Sequence, residues 1–246
     1  MRVTRVHVDL ALIDGDEVTL PEAARAHLAR VLRLREGDAC VLFNGDGRDW
    51  PARITSVGKR EVRVRLGRPV AVDRESPLSI TVVQGVARGE KMDLVLQKAT
   101  ELGVSGIVPV FSERSEVKLD DARTAKRLAH WRSVVGSACE QSGRGRVPAV
   151  SAPSDLAAGL ANLEPGGMRL LLDPDGPLSF GGMEAPDDRA FVLAVGPEGG
   201  WSPRDRAQLA AAGFCGVRLG PRILRTETAA LAAVSALQAR FGDLSG

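Results

Sequence analysis

Apolar and polar positions change period along this chain, and the change divides it. Residues 61–66, EVRVRL, alternate strictly, which predicts a strand with Val62, Val64 and Leu66 facing inward and Arg63 and Arg65 outward. Residues 3–8, with Val3, Val6 and Val8, suit a first strand. Ala39–Phe43 and Arg53–Val57 read as two further strands, joined through Asn44-Gly45-Asp46-Gly47, a strong turn sequence. Pro21-Glu22 opens a helix predicted to run to about Arg33, with Ala24, Leu28, Val31 and Leu32 near helical spacing. Residues 1–72 therefore predict a small, mostly β domain.

The polar, helix-averse stretch Asp73-Arg74-Glu75-Ser76-Pro77 marks the predicted boundary, and residues 73–246 form the second domain. Leu78–Val83 is a near-continuous apolar run, the pattern of a parallel strand covered on both faces. A helix over Glu90–Leu102 follows, with Met92, Val95, Ala99 and Leu102 on one stripe and Gly103 as its stop, and then a buried strand at Ile107–Phe111. A helix over Asp121–Gln141, a short one near Asp155–Leu160, strands at Arg169–Asp173, Phe191–Val195 and Gly216–Leu219, and a helix over Pro203–Ala212 capped by Ser202 complete the pattern. Ser112–Lys118 and Asp175–Asp188 read as loops. Strand and helix in alternation predict an α/β fold with a parallel sheet.

Composition narrows this only modestly. The apolar fraction of 44% is ample for a core, and the formal net charge is +2, split as +3 over residues 1–72 and −1 over the rest. Arginine outnumbers lysine 28 to 5, and arginine suits bidentate contact with phosphate. Such an excess fits an RNA-facing first domain, in which Arg30, Arg33 and Arg35 meet phosphates, and equally a small barrel whose charges only solvate it. Cys40, Cys139 and Cys215 are far apart, which points to neither a disulfide framework nor a zinc site and fits a reducing cytoplasm. His7, His27 and His130 share no ligand spacing, so no metal is expected. The start MRVTRVHVDL is too short and polar for a signal segment, and no apolar run reaches membrane-span length.

Three predicted strand ends carry unusual turns: Leu172-Asp173-Pro174, Gly196-Pro197-Glu198-Gly199-Gly200, and Leu219-Gly220-Pro221-Arg222. Ligands of open α/β sheets bind beyond the carboxyl ends of strands, so three such turns can line one pocket. It is not a phosphate cradle, because the dinucleotide glycine spacing and a P-loop lysine are both missing and Glu198 repels phosphate. A neutral or cationic ligand held by backbone contacts fits better. The last stretch, LGPRILRTETAAL over Leu219–Leu231, adds Arg222, Arg225 and a Thr226-Glu227-Thr228 helix start, more polar chemistry than a packed terminal helix requires.

GPEGGWS, LGPRILRTETAAL, RGEKMDLVLQKATELGV (Arg88–Val104), CEQSGRGRVP (Cys139–Pro148), RVLRLREGD and ALQARFGD together resemble the RsmE family of 16S rRNA uridine-N3 methyltransferases. That family belongs to the SPOUT class, whose α/β fold ends in a trefoil knot, here behind a PUA-like RNA-binding barrel. The resemblance spans nearly the whole chain. It implies S-adenosylmethionine as cofactor, bound by Leu172, Asp173 and Pro174, by Gly196, Pro197, Glu198 and Gly199, and by Leu219, Gly220, Pro221, Ile223, Leu224, Arg225 and Thr226. It further implies a homodimer, for which the alanines at 229, 230, 232, 233 and 236 offer a close-packing helix face, and 16S rRNA within the small ribosomal subunit as substrate. The knot cannot be derived from the residues, since untangled connections are the overwhelming rule.

Methylation of uridine N3 needs an unstacked base, a destination for its proton, and a cation beside the developing anion. Arg225 and Arg222 are the candidate cations, and Glu227 and Glu198 the candidate bases. Glu227 can equally serve the helix macrodipole, and Glu198 the cofactor's positive charge. Arg88, Lys91, Gln141, Arg144 and Arg146 are further candidates for RNA contact. Two readings compete: an S-adenosylmethionine-dependent rRNA methyltransferase, and a non-catalytic RNA-binding protein with a vestigial metabolite pocket. A dehydrogenase is disfavoured by the missing fingerprint.

Overall fold

The computed structural model describes residues 3–115 and 121–244. Contacts divide the chain into two compact units, one of Met1–Glu75 with Gly136–Val147 and one of Ser76–Val135 with Pro148–Gly246.

The first unit contains β1 (Arg5–His7), β2 (Glu17–Thr19), α1 (Glu22–Arg25), β3 (Ala39–Phe43), β4 (Arg48–Val57), β5 (Val62–Leu66) and β6 (Val70–Ala71). Its sheet runs β1-β3-β4-β5-β2 with β6 on β4, and all pairings are antiparallel except β1 with β3. The alternation in β5 is realised, with Val62, Val64 and Leu66 buried and the two arginines exposed. They pack with Val6, Leu28, Leu42, Trp50 and Ile54 in one core. β4 begins five residues before the predicted Arg53, because Trp50 and Ala52 already point inward while Pro51 faces out. The predicted helix to Arg33 is also altered: after four α-helical residues it widens into a π-helical stretch at Ala26–Val31. There Leu32 N–H donates to His27 O, five residues back. Arg33 then takes a left-handed φ of 55°, which ends the helix.

Gly136–Val147 joins this unit through polar contacts that sequence separation conceals. Arg5 donates to Asp49 and to the carbonyls of Cys139 and Arg144, and lies over the Phe43 ring at 4.3 Å. Glu75 accepts from the Arg144 guanidinium at 2.6 Å and from Arg146 N–H at 3.1 Å.

The second unit contains β7 (Ser79–Gly85), α2 (Glu90–Glu101), β8 (Gly106–Phe111), the first part of α3 (Asp121–Ser142), β9 (Ala149–Val150), β10 (Ser154–Asp155) and α4 (Leu156–Ala161). It continues with β11 (Met168–Leu172), β12 (Leu178–Ser179), β13 (Ala190–Val195), α5 (Pro203–Ala211), β14 (Cys215–Arg218) and α6 (Thr226–Phe241). The loop predicted at Asp175–Asp188 thus holds a two-residue strand, and Phe180–Gly182 forms a 3-10 turn. Of the predicted loop Ser112–Lys118, positions 116–118 lie outside the described residues.

All pairings in this sheet are parallel, in the order β10-β8-β7-β13-β11-β14-β12 with β9 on β8. The near-continuous apolar runs follow from that burial: Ile80, Val82, Val83, Ile107, Leu170 and Leu193 are fully covered. On α2 the stripe of Met92, Val95 and Ala99 is buried as predicted, and Gly103 stops the helix at φ 88°. α6 packs on α2, where the buried Gln238 accepts from Ser76 Oγ at 2.7 Å and donates to Leu102 O at 2.8 Å. Ser202 caps α5 in a full capping box with Asp205.

Candidate active site

The sheet order sets the site. The chain passes from β11 to β13 on one side and then to β14 on the other, so three adjacent strands end side by side. The turns that follow them converge on one cavity of about 500 Å³, a size typical of small-molecule sites. Twelve of the fourteen predicted cofactor positions line it, and Gly199 and Pro221 do not. Arg222 and Glu227 also line it, so the four candidate catalytic residues, Arg222, Arg225, Glu198 and Glu227, come together around one space. Several wall residues were not foreseen, among them Trp201, Arg206 and Val217. Trp201 directly follows the Gly196–Gly200 turn and was legible by adjacency; Arg206 was hidden by its distance in sequence from Asp173.

The charges in the wall are matched in pairs. Glu198 accepts from Lys91 Nζ at 2.9 Å and from Arg88 N–H at 3.1 Å. Burial alone pushes its carboxyl up, but the bonds from Lys91 and from the backbone N–H groups of Glu198 and Arg88, with the Lys91 charge, hold it below the usual carboxylate range. Asp173 is likewise lifted by burial and pulled down further by Arg206 and by the Asp175 N–H. Arg222 and Arg225 behave differently. Both are exposed at the mouth, and among the described residues neither has an ion-pair partner.

Among the described residues, the Trp201 indole N–H and one Glu227 carboxylate oxygen are buried without a partner beneath the cavity surface. The Thr226-Glu227-Thr228 cap is not formed as predicted. Arg225 is the N-cap residue with no side-chain cap bond, and the Thr226 hydroxyl instead donates to Gly196 O at 2.6 Å, in the neighbouring turn.

The candidate RNA contacts are spread over the chain. Six belong to the first unit: Arg30, Arg33, Arg35, Gln141, Arg144 and Arg146. Arg33, Arg35, Gln141 and Arg146 are exposed; the Arg30 side chain lies outside the described residues. Arg144 is only 5% exposed and holds Glu75, so its guanidinium is engaged in an internal ion pair. In the second unit Arg88 is exposed, and Lys91 is part of the cavity wall through Glu198. Among the described residues no group of three or more His, Cys, Asp or Glu is arranged to hold a metal ion, and no helix is long and apolar enough to cross a membrane.

Comparison with known proteins agrees with this geometry. The family pattern of an RNA methyltransferase domain matches residues 74–238, and that of an RNA methyltransferase PUA domain matches residues 20–67. Fold and site thus define a two-part RNA methyltransferase. A ribosomal RNA small subunit methyltransferase E from Buchnera aphidicola is 31% identical, with 99% of each chain covered. Its counterpart from Neisseria gonorrhoeae, solved bound to S-adenosyl methionine, superposes with a TM-score of 0.90 at 40% identity, covering 99% of this chain and 100% of that one. A methyltransferase from Legionella pneumophila in complex with the same cofactor gives 0.93 at 37% identity, with 99% and 100% covered. The chain belongs to the ribosomal RNA small subunit methyltransferase E (RsmE) family.

Proposed function

We infer that this protein is an S-adenosylmethionine-dependent methyltransferase of small-subunit ribosomal RNA, and that its target is N3 of a uridine in 16S rRNA. The observation that carries the reading is the convergence of three strand-end turns and the start of α6 on one cavity. Its walls offer backbone and apolar contact and paired internal charges, with Arg222 and Arg225 at the mouth. Residues 172–174, 196–198, 219, 220 and 223–226 are the proposed cofactor contacts. The cofactor, when bound, supplies an electrophilic methyl group on a sulfonium.

The protein's own residues do the rest. The imide N–H of uridine is a weak acid, so its proton needs an acceptor and the anion that remains needs a cation. Glu227, which lines the cavity at the start of α6, is the proposed acceptor. Arg225 and Arg222 are the proposed cations. Glu198 is a poorer base, because Lys91 and the backbone hold it ionised, and its proposed role is to face positive charge. The PUA-like first domain, residues 1–72, presents Arg33 and Arg35 to RNA phosphates, with the assembled small subunit as the proposed form of substrate.

A homodimer, the SPOUT knot and a cytoplasmic location belong to the same proposal. On α6, Ala230 and Ala233 are buried within the second unit and Ala229 lines the cavity, while Ala232 and Ala236 stay partly exposed and are the proposed contacts for a partner helix. Small ribosomal subunits from a strain lacking this activity, incubated with the protein and S-adenosylmethionine, should gain 3-methyluridine at one position by nucleoside mass mapping. Cofactor binding without any methyluridine would sink the catalytic reading and leave an RNA-binding protein.

A further inference from the structure

Gln84 is a fully buried amide near the end of β7, a strand otherwise built from apolar and small residues. Burying an amide is costly unless its hydrogen bonds are made, and among the described residues only the nitrogen's are: the carbonyl oxygen is buried without a partner, so what Nε2 holds must explain the residue. Its Nε2 donates to Gly85 O at 2.9 Å and to Thr226 Oγ1 at 3.0 Å. Both amide hydrogens are therefore used. The orientation of the amide follows, because a flipped carbonyl would face Gly85 O, which cannot donate. Thr226 has one hydroxyl hydrogen, and it goes to Gly196 O at 2.6 Å. The bonds run one way, from the Gln84 amide through the Thr226 hydroxyl to the Gly196 carbonyl.

The end of that chain is the first residue of the turn after β13. Pro197 follows and has no N–H, so the Gly196 carbonyl is the polar handle by which the entry to this turn can be held. The turn is closed from within by Gly200 N–H on Pro197 O at 2.8 Å. Glu198 projects from it, and Glu227 follows Thr226 in the first turn of α6; both line the cavity. One hydroxyl thus ties together the two elements between which the cavity opens.

We propose that Gln84 is a positioning residue for this pocket, acting through Thr226 to fix the Gly196 carbonyl and with it the spacing between the Gly196–Gly200 turn and the start of α6. Thr226 serves the pocket by holding the turn; its hydroxyl hydrogen is already committed to Gly196. The inference rests on the reading of this cavity as the S-adenosylmethionine site.

The test measures affinity for S-adenosylmethionine and S-adenosylhomocysteine by calorimetry, and unfolding of the ligand-free protein, in Gln84→Met, Thr226→Val, Thr226→Ser and the Gln84→Met/Thr226→Val double variant. Thr226→Val is expected to weaken binding about tenfold and Gln84→Met about fivefold, while Thr226→Ser, which keeps the hydroxyl, stays within about threefold of the parent. Because the two act in series, the double variant should bind no more weakly than Thr226→Val alone. Folded Gln84→Met and Thr226→Val proteins that bind as tightly as the parent, with a loss only in melting temperature, overturn the proposal. So does a double variant whose losses multiply, the mark of two independent packing roles. Should Thr226→Val not fold, Gln84→Met and Thr226→Ser decide alone. If the parent protein itself binds neither compound, the cofactor reading fails and the proposal falls with it, an outcome distinct from intact binding in the variants.

Discussion

The closest backbone approach beside the pocket gives a sharp prediction. A Cβ built on Gly85 lies 2.5 Å from Pro197 Cδ and 2.6 Å from Pro197 N. Non-bonded carbons sit at about 3.5–4.0 Å, so Gly85→Ala must open this contact by about 1 Å. Neither side yields easily. β7 is locked in register with β13, with Gln84 opposite Val195, and Pro197 is a rigid ring in a turn closed by its own hydrogen bond to Gly200. Gly85 is in strand conformation, so the obstacle is space and not backbone angle. Overpacking of this kind costs about 1–3 kcal/mol, and at this chain length each kcal/mol lowers Tm by about 2–4 °C. The larger effect falls on function: the displaced turn carries Glu198, and a misplacement of about 1 Å at a reacting centre costs about 100-fold in rate. Gly85→Ala should therefore fold with a modestly lower Tm and lose most cofactor affinity by calorimetry and nearly all methyl transfer to small subunits. Gly181→Ala, where an added Cβ meets nothing within 4 Å, is the control and should behave as the parent. Affinity and transfer in Gly85→Ala within about threefold of the parent would refute the claim that this contact sets the turn.

Other consequences are open to direct measurement. Arg225→Ala should slow methyl transfer about 100-fold, a larger loss than any in cofactor affinity, since a cation at the mouth acts on the target base; unimpaired transfer removes it from the chemistry. Burial lowers the pKa of His7 despite the charges of Glu140 and Asp9. The folded state then binds fewer protons than the unfolded one, so stability present above the ordinary histidine value of about 6.5 is lost as pH falls through the folded pKa. Urea unfolding at neutral and mildly acidic pH should show that loss, and His7→Gln should reduce it. Burial raises the Cys40 thiol to about 11 and Cys139 to about 12, whereas Cys215 is exposed. A thiol reagent at neutral pH should label one cysteine of the native protein quickly, and Cys215→Ser should abolish that fast phase.

What the sequence made legible was whatever depends on near neighbours. EVRVRL alternates because β5 has one covered face, Leu78–Val83 is uniformly apolar because β7 is covered on both, and Ser202 with Asp205 announces a helix start within four residues. The three glycine- and proline-bearing turns were legible as ligand turns, yet their meeting depends on β11 lying between β13 and β14, an order that no local pattern encodes. Arg5 shows the same limit: its partners, Asp49 and the carbonyls of residues 139 and 144, lie 44 to 139 positions away. Thr226 is the most instructive case. A threonine at a helix start normally folds back on its own helix, and the propensity argument predicts a cap. Here its hydroxyl serves two partners outside the helix, one as donor and one as acceptor. The Gly196 carbonyl lies 2.6 Å away in a neighbouring turn, while the hydroxyl oxygen is already taken as acceptor by Gln84. Local capping is absent because Thr226 is already the first residue of α6, one position inside the N-cap from which a side chain accepts from the helix backbone. Tertiary structure thus converts a residue that reads as secondary-structure punctuation into a strut of the pocket, and it leaves the first turn of α6, with Glu227 and Ala229, free of a side-chain cap where it lines the cavity.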